Sequence, residues 1–146
     1  MTSQPLPHYY AVQARASNTS NVTLESTGLN AMESAPPVEF GGPAGYWSPE
    51  TLLVAAIADC FILSFRGTAR ASNFAWESLH CSVAGTLEKA DRLTQFTHYQ
   101  ITATLMIPPE SDPAKGDRLL YKAEANCLIT NSLSGTVSLE TTIQVC

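Results

Sequence analysis

Positive charge is scarce in this sequence. Eight Lys and Arg are scattered along 146 residues against 13 Asp and Glu, for a formal net charge of −5. Nucleic-acid backbones are held by clustered cations, so no nucleic-acid partner is expected. Metal-ligand spacings are missing as well. Neither C-x-x-C nor H-x-x-x-H occurs, and His8, His80 and His98 are dispersed, so no metal site is expected. The opening "MTSQPLPHYY" has no charged and apolar signal regions, which leads to the expectation of a cytoplasmic protein with four reduced cysteines. The sequons at Asn18 and Asn21 then carry no glycan. The most apolar stretch, Leu52 to Phe65, falls short of the roughly 20 residues a membrane span needs, and predicts a buried core helix and no membrane partner.

What is present is the material of one α+β domain spanning residues 1–146. Turn-forming "SNTSN" separates two short strand-like segments and predicts an N-terminal β-hairpin over residues 8–26. Prolines and glycines make 30–48 an ordered loop, whose Phe40, Tyr46 and Trp47 either pack on the core or line a pocket. Ser48-Pro49-Glu50 combines an N-cap hydroxyl, a first-turn proline and a first-turn acid, opening a helix over 49–71. Alternation then marks strands at 78–88 (Leu79, Cys81, Val83, Leu87 on one face) and 94–107 (Tyr99, Ile101, Ala103, Leu105, Ile107). A C-terminal strand at 136–145 repeats it through Val137, Leu139, Ile143 and Val145. Asp112-Pro113 starts a second helix over 113–126, and Leu119, Ala123 and Cys127 share its inward face. Strand pairs joined by turns favour antiparallel sheets packed on helices. The middle of the first helix is apolar on nearly all sides, more than a chain of this length covers, so a homodimer with two-fold symmetry is expected.

Four cysteines remain to be assigned. Cys81 lies on an apolar strand face and is expected to be structural, and Cys146 ends the chain and is given little role. Cys60 and Cys127 sit on helices whose inner faces meet one core. A purely apolar pocket raises a thiol's pKa, so a nucleophile there requires a cation or a hydrogen-bond donor. Arg66 and Arg70 lie beyond Cys60 toward the helix end. Arg15 is the upstream candidate, either folded over the thiol or solvated on its strand.

The residues Pro49-Glu50-Thr51-Leu52-Leu53, Ala55-Ala56 and Asp59-Cys60-Phe61, with the later "KAEANCLITNSL", resemble the OsmC/Ohr family of thiol-dependent hydroperoxide reductases. The resemblance covers nearly the whole chain. It implies an OsmC-like fold, with sheets around long central helices, and an intertwined homodimer with active sites at the subunit interface. It further implies that Cys60 is the peroxidatic cysteine, Cys127 the resolving one, Glu50 the site's acid and Arg15 its arginine. The sequence departs from the family pattern at Leu128, where many relatives carry proline, and at Asp59, where a small residue is usual. No glycine-rich turn precedes Arg15.

Chemically, Cys60, Arg15 and Cys127 supply the thiolate, the positive group and the second thiol that peroxide reduction requires, with Glu50 holding the guanidinium. An external dithiol, such as one of lipoyl type, is the expected reductant, and no metal or flavin cofactor is expected. From Glu50 to Cys60 a continuous helix rises about 15 Å, so Glu50 is expected to act across the dimer. Phe61, with Tyr46 or Trp47, is expected to line an apolar substrate pocket that favours organic hydroperoxides over hydrogen peroxide. Two other functions compete: a cysteine hydrolase using His80 or His98 as base, and a redox-sensing or small-molecule-binding dimer without turnover.

Overall fold

Residues 3–146 are described in a computed structural model of the chain. The elements in order are β1 (Gln13–Arg15), β2 (Val22–Glu25), β3 (Met32–Ser34), α1 (Pro49–Ala71), β4 (Ser78–Ala90), β5 (Leu93–Ile107), α2 (Pro113–Ala125), α3 (Leu128–Asn131) and β6 (Thr136–Val145). They fall into an N-terminal unit ending at Leu52 and a C-terminal unit, Leu53–Cys146.

In the N-terminal unit the expected hairpin is extended by a third strand. β1, β2 and β3 form an antiparallel sheet in that order. The β1–β2 turn is closed by its serines: Ser17 N–H donates to Ser20 Oγ at 2.9 Å and Ser20 N–H to Ser17 Oγ at 3.1 Å. β3 falls inside the segment expected to be loop, because the chain returns and Trp47 C=O accepts from Ala35 N–H at 2.9 Å beside a Ser34–Trp47 bridge. Between them a 3-10 turn over Val38–Phe40 ends at Gly41, whose φ of 84° suits a residue without Cβ.

The start of α1 is fixed by reciprocal capping. Ser48 Oγ accepts from Thr51 N–H at 3.1 Å, and Thr51 Oγ1 accepts from Ser48 N–H at 2.8 Å. Ile57, Phe61, Phe65 and Ala69, four residues apart, form the one stripe of α1 that is fully buried. The expectation of a helix enclosed on nearly all sides is therefore not met by its own chain: Leu63 is 51% exposed and other apolar positions are half-buried. At 23 residues α1 is also longer than the apolar run alone suggests, and its length and hydropathy by themselves would let it cross a membrane. Its buried stripe instead belongs to the core.

That core rests on β5. Tyr99, Ile101, Ala103, Leu105 and Ile107 are all buried, the alternation read from sequence. They cluster with the α1 stripe, with Phe74 and with Leu119, Leu120 and Ala123 of α2. Fully burying a side chain the size of Phe61 or Ile101 contributes about 1.5–3 kcal/mol. Approach is close at Gly85 of β4, where a Cβ would stand 3.0 Å from Val54 and 2.9 Å from Phe96.

The second sheet has the order β4-β5-β6, with β4 antiparallel to β5 but β6 parallel to it. An all-antiparallel sheet is thus corrected to a mixed one, because the β5–β6 connection crosses over through α2 and α3. A second correction concerns Leu87. The register shifts between Thr86 and Leu87, with Thr97 of β5 left unpaired, and Leu87, 36% exposed, lies outside the core against which Leu79, Cys81 and Val83 pack. α2 begins as expected, with Asp112 accepting from Ala114 N–H at 3.1 Å and Pro113 in the first turn.

Candidate functional site

Two segments bring two thiols together. Cys60 sits midway along α1, half-buried. Cys127 continues the buried stripe of Leu119 and Ala123 but lies just past the end of α2, where it is the N-cap of α3 and fully buried. The expected helix to 126 thus ends one residue earlier, and Cys127 stands at a junction between helices. There it lies within hydrogen-bonding reach of Cys60, as do the backbone N–H groups of Leu128 and Ile129. Ser64, one turn along α1, places its hydroxyl 3.8 Å from Cys60 Sγ.

The two thiols titrate in opposite directions. Burial raises the Cys60 pKa, but the Ile129 amide, the Cys127 thiol, the Ser64 hydroxyl and the Leu128 amide all favour the thiolate, and the balance falls below an ordinary thiol. Cys127 moves up, through burial and through its bond to Cys60, against opposing bonds from Thr130. Of the two, Cys60 is the more readily deprotonated. Cys81, structural in expectation, is pushed up to about 11 by burial and by the nearby Cys127. Cys146 is exposed at the chain end.

Cys60 opens onto a cleft of about 450 Å³ whose walls are mostly apolar: Ala56, Leu63, Leu128 and Ile129, with Asp59 and Ser64. Phe61, expected among the pocket residues, is fully buried in the core instead. One residue along a helix turns a side chain by about 100°, which carries Phe61 away from the face that Cys60 occupies. Sequence reasoning missed Leu128 and Ile129, whose decisive groups are backbone amides with no residue-type signature. Asp59, which the sequence leaves either beside the thiol or turned from it, lines the same cleft as Cys60.

The remaining expected site residues lie in the N-terminal unit. Arg15 makes an exposed ion pair with Glu25 at 3.0 Å, so the chain does not pair it with Glu50. Glu50 borders a hollow of about 290 Å³ with Ala35, Pro36 and Phe40, and its Oε1 is buried without a hydrogen-bond partner. Tyr46 and Trp47, each about half exposed, border another hollow of about 300 Å³ with Gly45 and Thr51. His80 and His98 do not line the Cys60 cleft, and His98 Nδ1 bonds the Thr136 hydroxyl at 2.8 Å. No cluster of three or more potential metal ligands occurs among the described residues.

A family model for OsmC-like proteins matches residues 42–142, which include α1, both thiols and most of the second sheet. The chain belongs to the OsmC-like protein family. Among its relatives is the uncharacterized protein YmaD of Bacillus subtilis (strain 168), 27% identical over 139 residues, 91% of each chain. An OsmC-like protein of unknown function from Vibrio cholerae O1 has a similar structure, with a TM-score of 0.81, 20% identity and coverage of 94% of this chain and 99% of that one. A Legionella pneumophila protein described as the organic hydroperoxide resistance protein OsmC is similar at a TM-score of 0.76, with 22% identity and coverage of 96% and 99%. These likenesses establish an α+β OsmC-like fold, with two sheets and helices, for this chain. The family includes proteins described as conferring organic hydroperoxide resistance.

Proposed function

We propose that this OsmC-like protein is a thiol-dependent peroxidase that reduces organic hydroperoxides. The observation that carries it is the placing of Cys60, whose pKa lies below that of an ordinary thiol, within hydrogen-bonding reach of Cys127 at a mostly apolar cleft. The name of the Legionella relative supports the substrate class, as do the cleft walls.

The cycle balances with thiols alone. The Cys60 thiolate attacks one oxygen of the hydroperoxide; an S–O bond forms, the O–O bond breaks, and the departing alkoxide takes a proton to become an alcohol. Cys60 is left as a sulfenic acid. Cys127 sulfur then bonds to Cys60 sulfur, and the displaced hydroxide leaves with the Cys127 proton as water. An external dithiol exchanges with the resulting disulfide, supplying two electrons and two protons and leaving as its own disulfide. No step requires a metal or flavin. A lipoyl-type dithiol suits such exchange, and the reducing cytoplasm is where an antioxidant cycle of this kind operates.

The working unit is a homodimer, supported by the incompletely covered apolar surface of α1. Glu50 and Arg15 complete the site across it: the unpartnered Glu50 oxygen asks for a donor, which a guanidinium supplies. The test is peroxide-dependent oxidation of dihydrolipoamide by wild type, Cys60→Ser and Cys127→Ser. Both variants should lose turnover; a Cys60→Ser variant as fast as wild type sinks the proposal.

A further inference from the structure

Among the described residues, Asp59 is the one acidic or basic residue lining the Cys60 cleft, and its sign is opposite to what an anion-binding site needs. Asp59 is exposed on α1 at the wall of the cleft, and the other lining side chains are apolar, hydroxyl or thiol. The thiolate is held by neutral donors, the Leu128 and Ile129 amides and the Cys127 and Ser64 side chains. None of these adds a positive charge to offset the carboxylate. Should the second copy bring in Glu50 and Arg15 as a pair, one charge of each sign arrives and the balance is still set by Asp59.

We infer that Asp59 is a specificity-determining residue: it makes the Cys60 cleft select neutral hydroperoxides and disfavour substrates that carry a carboxylate close to the reacting oxygen. Resting as this does on Cys60 being the reactive thiol of the proposed function, it names the substrate class more narrowly. An anionic group has to approach both the thiolate and Asp59 in a cleft of low polarity. A neutral one meets no such repulsion and gains from the apolar walls of Leu63, Leu128 and Ile129. Two unit charges about 7 Å apart in a half-solvated cleft alter rates roughly three- to tenfold. Added salt weakens the effect, since the cleft is open to solvent.

The charge of the cleft is testable apart from peroxide chemistry. Cys60 of the full chain is alkylated with neutral iodoacetamide and with anionic iodoacetate, both of which form an S–C bond and release iodide, and modification at Cys60 is followed by mass spectrometry. Asp59→Asn should raise the iodoacetate-to-iodoacetamide rate ratio roughly three- to tenfold, and Asp59→Lys should raise it further. In parallel, Cys60 oxidation is compared for cumene hydroperoxide and its para-carboxylate, and the same variants should narrow the preference for the neutral compound. An alkylation ratio unchanged in both variants overturns the role of Asp59 even where peroxides are reduced. A ratio that shifts in a protein that reduces neither peroxide leaves the charged cleft standing and overturns the peroxidase assignment together with the substrate preference built on it.

Discussion

Cys127 lies within hydrogen-bonding reach of Cys60, and the contact adds to the Ile129 amide in lowering the Cys60 pKa and to burial in raising that of Cys127. In the proposed cycle this distinguishes an attacking group from a reserve group before any substrate arrives. Serine at 127 keeps a donor but removes the second sulfur. In Cys127→Ser, one equivalent of cumene hydroperoxide should still be consumed per chain, with a sulfenic acid trapped at Cys60 by dimedone, while turnover with dihydrolipoamide falls to background. Failure to form the trapped adduct would refute the assigned order of the two cysteines.

Cysteine acidity sets a pH signature. A Cys81 thiol at about 11 has only about one part in a thousand as thiolate at pH 8, whereas Cys60 lies below the ordinary value. Alkylation by iodoacetamide at pH 8 should therefore label Cys60 far ahead of Cys81. For stability, the unfolded chain loses the Cys81 proton near pH 9 and the folded chain only near 11, so the unfolded state binds fewer protons between them and folding weakens as pH rises through that window. The urea midpoint should drop from pH 8 to pH 10.5, and drop less in Cys81→Ala.

Phe61 serves the core. It is fully enclosed among the buried residues of β5 and α2, so Phe61→Ala should destabilise the fold by about 3–5 kcal/mol in urea denaturation. A variant that keeps wild-type stability but loses affinity for aromatic hydroperoxides would restore Phe61 to the substrate pocket.

Arg15 separates structural from functional importance. Its exposed pair with Glu25 is worth at most about 1 kcal/mol, so Arg15→Ala should leave the urea midpoint nearly unchanged. Should the second copy carry this residue to the thiolate, peroxide turnover falls roughly a hundredfold. Turnover equal to wild type would remove Arg15 from the site.

The proposed homodimer is tested through α1. Light scattering at micromolar concentration should give twice the chain mass of 15.7 kDa. A charge placed at the exposed Leu63, as in Leu63→Glu, tests whether that part of α1 faces the second copy and should then shift the mass toward the monomer.

Much of the fold is legible in side-chain order. The inward face of β5 follows from strict alternation at Tyr99 through Ile107, and both long helices announce their starts through Ser48 and Asp112. Leu87 misleads because alternation does not show where along β4 the cover of the core stops; Gly85, next to the register shift, is the one hint of irregularity. The parallel direction of β6 is hidden because alternation carries no sense of direction; only the helical crossover before it does. At the site, the cysteines stand out as residue types, and the resemblance to a family pairs them. The amides of Leu128 and Ile129 do not stand out, since any sequence supplies backbone N–H groups and only the turn after Cys127 aims them. Adjacency in sequence puts Phe61 beside Cys60, whereas helical rotation decides its side.

Cys127 ends the buried stripe of α2 and caps the short helix whose first amides hold the Cys60 thiolate. In the proposed cycle, activating the sulfur and capturing its oxidised form would both fall to one stretch of chain, Cys127 to Ile129. Drawing Cys127 into a bond with Cys60 would then pull on the same turn that presents those amides. A substitution there that makes the thiolate more reactive should also change how fast it is retired.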